Sequence, residues 1–173
     1  QQDFYPTLSE VPEIEHIQAI ATKSGIIRTP DNFSGIVLKG VGSDFDQNRF
    51  APYIIKGSFP KISEEQLSSE VVLPQKIANE LHLDVDSSFI CYFIQDSRKP
   101  IYRRFTVSGI FTTDIKDFDD VYVIGDIKQI QRLNRWDENT VGGFELFTKD
   151  IEKIDEVTQK VNDAIDFQLY AQS

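Results

Sequence analysis

The spacing of apolar residues changes along the chain, and each change marks an element. From Glu13 to Thr29, Ile14, Ile17, Ile20 and the pair Ile26 and Ile27 alternate loosely with polar residues, which predicts a strand interrupted near Ser24 and Gly25. Ser34 to Val41 predicts a second strand, Gly42-Ser43-Asp44 a turn, Asp46 to Ala51 one helical turn, and Tyr53 to Ile55 a short strand. Gly57 to Ser69 reads as a connection in which Ser63 and Gln66 have capping-box spacing. The pattern is sharpest between Glu70 and Phe111. Val71-Val72-Leu73 is a β-branched, apolar run suited to a short buried strand. Pro74 fits the first turn of a helix, where its missing N–H would be unpaired anyway, and Ile77, Ala78 and Leu81 make one apolar stripe. Phe89 to Ile94 is apolar on both alternating faces, which predicts a strand covered on both sides. Gln95 to Pro100 carries turn residues, and Tyr102, Phe105, Val107, Ile110 and Phe111 predict a returning strand with a bulge at Gly109.

Further on, Asp114 to Asp120 reads as an acidic loop and Val121 to Ile124 as a strand. Asp126 is placed to cap a helix through Leu133, Asn134 to Asn139 is a loop carrying Trp136, and Val141 to Phe147 is a strand. Asp150 is placed to cap a helix whose stripe is Ile151, Ile154, Val157, Val161, Ala164 and Ile165, and Phe167 to Tyr170 predicts a last strand. Residues 1–12 are a polar lead-in in which Leu8 and Val11 either start a helix or dock. Strands alternating with short helices give an α+β (mixed α/β) class, with a mixed sheet of short strands and packed short helices. At 173 residues the chain reads as one domain, or as one with a small subdomain built from about residues 30–70.

A formal net charge of −10 argues against nucleic acid and against docking on an anionic lipid surface. No apolar run approaches the ~18 residues of a membrane span. Methionine is absent, even at position 1, so the sequence reads as a fragment or a processed form. Chemistry is sparse. Cys91 sits inside an apolar strand and reads as a small buried hydrophobe. His16 and His82 are dispersed, so with one cysteine there is no zinc-ligand spacing, and neither a phosphate-cradling glycine loop nor a GxSxG elbow occurs. Asp44 and Asp46, and Asp114, Asp117, Asp119 and Asp120, come nearest to a calcium loop but lack the EF-hand pattern, and read as solvated or turn-capping carboxylates. No catalytic residue, cofactor site or metal site is therefore assigned, and the chain reads as a non-enzyme. Phe45, Phe50, Phe59 and Trp136 fall in loop-like places, as a partner site or as a satellite cluster beneath loops.

Several phrases, in order, resemble the extracytoplasmic domain of ABC-transporter permeases of the MacB/FtsX type, closest to the lipoprotein-releasing LolC/LolE branch. That family has a strand of the form VVLG, a helix xxLAxxLGL, then xVGD, a long hairpin, and FxVxGIF. Here the counterparts are Val71-Val72-Leu73, then Ile77 to Leu83, then Val85-Asp86, and Phe105 to Phe111. Leu38 to Val41 with Ser43 to Asp46 resembles LxGVDPxYD, and Thr113 to Asp120 with Val123 resembles xTGxYEYDSxxxxV. Pro74, His82, Asp86 and Asp114 stand where the family usually has glycine. Glycine there serves a turn or a left-handed residue, a conformation that Asp and His tolerate better than most.

The resemblance implies a MacB-like periplasmic core domain of an inner-membrane permease. Such a domain is non-catalytic and couples cytoplasmic ATP hydrolysis to lipoprotein release or envelope export. It implies as partners a cytoplasmic ATPase subunit, a second permease subunit, and a periplasmic chaperone or adaptor with a lipoprotein substrate. In LolC-type members the loop between the two matching strands is long and proline-rich and captures the chaperone. Here Gln95, Asp96, Ser97, Arg98, Lys99 and Pro100 make a short tip, read either as a solvated turn or as a contact to an acidic partner. The alternatives are a free-standing secreted binding module of the envelope and a MacB-like efflux permease domain.

Overall fold

The computed structural model describes residues 4–94, 99–165 and 169–173. Its strands are β1 (Ile14–Arg28), β2 (Phe33–Val41), β3 (Ile54–Gly57), β4 (Glu70–Pro74), β5 (Ser88–Phe93), β6 (Ile101–Phe111), β7 (Tyr122–Asp126) and β8 (Gly143–Thr148). Its helices are α1 (Gln47–Phe50), α2 (Gln75–Glu80), α3 (Lys116–Asp119), α4 (Ile127–Asn134) and α5 (Ile154–Ala164). Among the described residues, no helix is long and apolar enough to cross a membrane.

The strands make one mixed sheet in the order β2-β7-β4-β6-β5-β1-β8, with β3 on β6. Because β1 also pairs with β2, six of the strands close into a ring. The β2–β7 and β4–β6 ladders are parallel and the others antiparallel. β1 is the longest strand and serves three partners. Its second half pairs with β2 from Ile20↔Val41 to Arg28↔Phe33, its last residues pair with β5, and its first half pairs with β8.

The expected break at Ser24-Gly25 does not occur. Ser24 pairs with Val37 and Gly25 with Ile36 in unbroken register. Gly25 is there for space: a Cβ at this position would lie 2.8 Å from Cys91 Sγ and 2.9 Å from the Phe93 ring. The expected bulge does occur, one residue early. Val71 pairs with Val107 and Val72 with Gly109, so Ser108 is the extra residue of β6.

Pleat alternation distributes the side chains between two cores. Val71 and Leu73 of β4 join Ile27, Leu38, Phe93, Phe105 and Val107 in the main core, which α2 closes with Ile77 and Ala78 and α4 with Ile127, Ile130 and Leu133. Val72 points the other way and packs with Val41, Phe111, Ile124 and Phe50. β4 is thus buried on both faces, as its sequence suggests. β5 is not: Phe89, Cys91 and Phe93 are buried, Ile90 and Tyr92 are half-buried, and Ile94 beyond the strand is exposed, because no element covers the outer face. A third cluster joins the lead-in to the C-terminal helix, with Leu8, Val11, Ile17, Val157 and Val161 buried together. Leu8 and Val11 therefore dock. Each side chain taken fully out of water in these cores contributes about 1.5–3 kcal/mol.

Other differences have local causes. The acidic segment 114–120 is not wholly loop, since Lys116–Asp119 winds into α3. Asp150 caps a 3-10 turn, Ile151–Lys153, through the Glu152 N–H at 3.1 Å, and α5 starts only at Ile154. The tighter winding turns Ile151 out of the stripe, leaving it 76% exposed. The predicted last strand falls partly on 167 and 168, outside the described residues, and 169–173 form no strand. Left-handed backbone occurs at His82 (φ 54°), Asp86 (φ 68°) and Asp114 (φ 61°), three of the positions where the resembled family has glycine, while Pro74 has φ −61° and precedes α2. Arg135 (φ 60°) at the end of α4 is a further left-handed residue, which no sequence signal announced.

Gly25→Ala is expected to lower stability by about 1–3 kcal/mol, because the added methyl overlaps Cys91 and Phe93 in a filled core. Urea unfolding of the two proteins measures this, and an unchanged midpoint contradicts the packing described for β1.

Candidate functional site

Of the hairpin-tip residues singled out in the sequence, Gln95, Asp96, Ser97 and Arg98 lie outside the described residues. Lys99 and Pro100 are exposed. The β5–β6 ladder runs to the pair Phe93↔Ile101, so the connection is Ile94 to Pro100.

A groove of about 1220 Å³ lies beside β8, bordered by α1, the α3 region and α5. Its floor is a polar chain across neighbouring strands. Lys39 Nζ of β2 lies 2.5 Å from Glu145 Oε1 of β8, and Glu145 Oε2 accepts from Gln18 Nε2 of β1 at 2.9 Å. Gln18 Oε1 in turn accepts from the Asp46 backbone N–H at 3.2 Å and lies 3.2 Å from His16 Nε2. Lys39 and Gln18 are buried, and the Lys39 ammonium also lies 5.5 Å from the Phe118 ring centre, a cation–π contact. At the rim, Arg49 bonds Glu15 at 2.6 Å and Asp46 at 3.0 Å and lies 5.2 Å from the Phe147 ring centre. Each of these charges is answered by an opposite one. The arrangement fixes β8 to its neighbours and shapes a surface; it presents no nucleophile beside a base.

Of the carboxylates that come nearest to a calcium loop in the sequence, Asp44, Asp46, Asp119 and Asp120 serve as caps and braces. Asp44 accepts from the Ala19 N–H at 2.6 Å and from the Tyr5 hydroxyl at 2.8 Å. Burial first, and then the bond to Asp44, push the Tyr5 phenol up to about 12, so it stays a donor. Asp46 caps α1 through the N–H groups of Asn48 and Arg49. Asp119 accepts from the hydroxyls of Thr112 (2.9 Å) and Thr113 (2.6 Å) and from the N–H groups of Thr113 (3.0 Å) and Asp114 (3.2 Å). Burial works to raise the Asp119 pKa, but these donors outweigh it and hold the carboxyl below its usual value. Asp120 pairs with Lys76 at 2.6 Å.

Phe45, Phe50 and Phe59 form a satellite cluster, with Phe45 and Phe59 stacked at 4.9 Å and Phe50 set against Phe111 at 5.1 Å. Trp136 stands in a loop after α4. Cys91 is buried, and burial pushes its thiol up to about 12, which removes thiolate reactivity. A second cleft, of about 390 Å³, brings together Arg28, His82 and Arg104. Sequence reading missed this group, because only the pairing of β1, β5 and β6 makes these residues neighbours.

No protein-family model and no curated protein matches the sequence. Solved structures match the fold, and they define its class: a mixed α+β domain of the kind found on the outer side of ABC-transporter permeases. The chain is similar to the extracellular domain of the noncanonic ABC-type transporter YknZ from Gram-positive bacteria, with a TM-score of 0.53 and 13% identity over 88% of this chain and 77% of that one. It is similar to the periplasmic region of MacB from Actinobacillus actinomycetemcomitans, with a TM-score of 0.54 and 13% identity over 90% of this chain and 70% of that one.

The depressed pKa of Asp119 has a definite sign. Its contribution to stability is present above the ordinary carboxylate value of 3.8 and is lost as pH falls through its lower folded value. Asp119→Ala is therefore expected to lower the melting temperature at neutral pH, with the gap to wild type closing as the pH is taken below 3.8. A gap that stays constant with pH contradicts this role.

Proposed function

We propose that this chain is the extracytoplasmic domain of an ABC-transporter permease, a non-catalytic unit that relays ATP hydrolysis by a cytoplasmic partner to export or release at the cell envelope. The observation that carries the reading is the likeness of fold over 88–90% of the chain to the outer domains of YknZ and MacB. A second observation supports it. His82, Asp86 and Asp114 are left-handed at positions where the resembled family has glycine, so the family's turns are kept without its glycines. In this reading the domain sits on the outer face of the membrane, beside a second permease subunit.

Within that reading, the connection Ile94 to Pro100 favours export over chaperone-mediated lipoprotein release. At seven residues it is a little longer than a tight hairpin turn and still too short for a chaperone-capturing hook. Gln95 to Pro100 would then be a contact to an adaptor or to the neighbouring subunit, through the charges of Arg98 and Lys99.

The test is made in the parent permease, with residues 1–173 replaced by a Gly-Ser linker. The shortened permease is expected to co-purify with its ATPase, which still hydrolyses ATP, while export fails. Export at the wild-type rate would show that this domain transmits nothing.

A further inference from the structure

The outer face of β2, β1, β5 and β6 carries a row of cations beside a row of apolar and aromatic side chains. Arg28 pairs with Ile90 and Ile90 with Arg104, so the two arginines flank Ile90 on one face of three adjacent strands. Two residues along, Ile26, Tyr92 and Tyr102 form the next row, with the tyrosine rings 6.3 Å apart. Phe33 of β2 stands opposite Arg28. The alternate residues Ile27, Cys91 and Phe105 fill the core, so this row points outward. Ile26 is 39% exposed, Tyr102 64%, Ile94 69% and Phe33 73%, which gathers much of the large exposed apolar surface on one face.

The two arginine side chains are also without a partner among the described residues, as are those of Lys61, Lys116, Arg132 and Arg135 elsewhere in the chain. Lys39, Arg49, Lys56, Lys76 and Lys160 are all engaged in salt bridges. Arg28 and Arg104 are exposed, and their side chains form no hydrogen bond or ion pair among the described residues. They open into the cleft that His82 also lines, where the only acidic side chain is that of Asp31.

We propose that this face docks an acidic, extended segment of a partner protein. A carboxylate sits between Arg28 and Arg104, and an apolar or aromatic side chain two residues away lies over Ile26, Tyr92 and Tyr102. The two rows are one pleat repeat apart, roughly 6.8 Å, which is the distance between alternate residues of an extended peptide. The charge of the whole chain selects the occupant. At −10, the domain repels an extended polyanion such as an anionic membrane, whereas a discrete acidic segment meets only this positive face. The inference does not rest on the transporter reading, since it concerns peptide binding by the isolated chain.

The experiment is an amide chemical-shift titration of the chain with an eight-residue peptide of two Glu-Ser-Phe-Ser repeats, which sets Glu and Phe two residues apart on one face. The same peptide with Gln for Glu, and phosphatidylglycerol vesicles, are the comparison arms. Binding of the Glu peptide should move the amides of residues 26–28, 90–92 and 102–104 and weaken as salt rises. The pair Arg28→Ala and Arg104→Ala should weaken it about tenfold or more, and Tyr102→Ala should weaken it as well. If the alanine pair melts below wild type, Arg28→Gln with Arg104→Gln replaces it. The proposal is overturned by no binding of the Glu peptide, by equal binding of the Gln peptide, by shifts on another face, or by indifference to the arginine changes. Vesicle binding without peptide binding overturns it in favour of a lipid surface.

Discussion

The backbone ladder of β1 is the interaction on which the rest of the structure depends. A strand pairing with β2, β5 and β8 in turn has its N–H and C=O groups satisfied without solvent along most of its length. The β1–β2 pairing closes the ring, which removes two sheet edges that would otherwise need covering. With the ring closed, alternate residues of its strands form a continuous wall for the main core, and α2 and α4 set their apolar stripes against it. Gly25 is the small residue that lets β1 lie close over Cys91 and Phe93.

The first half of β1 leaves the ring and carries β8, and the character of the structure changes there. β8 is half-buried at every position, and α5 buries only Val157 and Val161. Polar bonds supply what the apolar packing does not: Lys39, Glu145 and Gln18 tie β2, β8 and β1 together, and Asp44 and Asp46 brace the loop beside them. Breaking one member of such a partly buried group leaves its partner without compensation. The charges in this region hold elements in place.

The sequence was legible where the determinants were local. β4, α2, β5 and β6 form where the periodicity between Val71 and Phe111 places them, Asp126 caps α4 through the Lys128 N–H at 2.9 Å, and the irregular residues His82, Asp86 and Asp114 were marked by standing in for glycine. It was illegible where the reason lay far along the chain. Ser24-Gly25 has the composition of a break, but the space Gly25 provides is needed by residues of β5. Ile151 falls on a helical stripe that a 3-10 turn rotates away. The outward row of β5 looks apolar enough to be covered, yet Ile90 and Tyr92 are flanked by arginines that only strand register brings near. The same limit hid the cationic cleft, while Asp46 and Asp119, among the acidic residues most visible in the sequence, cap a helix and a turn.

If β1 closes a ring that outlasts the layer hung on its first half, the two parts must open separately. Native-state hydrogen exchange of the isolated chain measures this at each amide. The account predicts that the amides shared by β1 with β2 and β5 exchange only through the highest-energy opening, and that β8 and α5 open together at lower free energy. Protection of β8 and α5 equal to or above that of the β1–β2 ladder would contradict it.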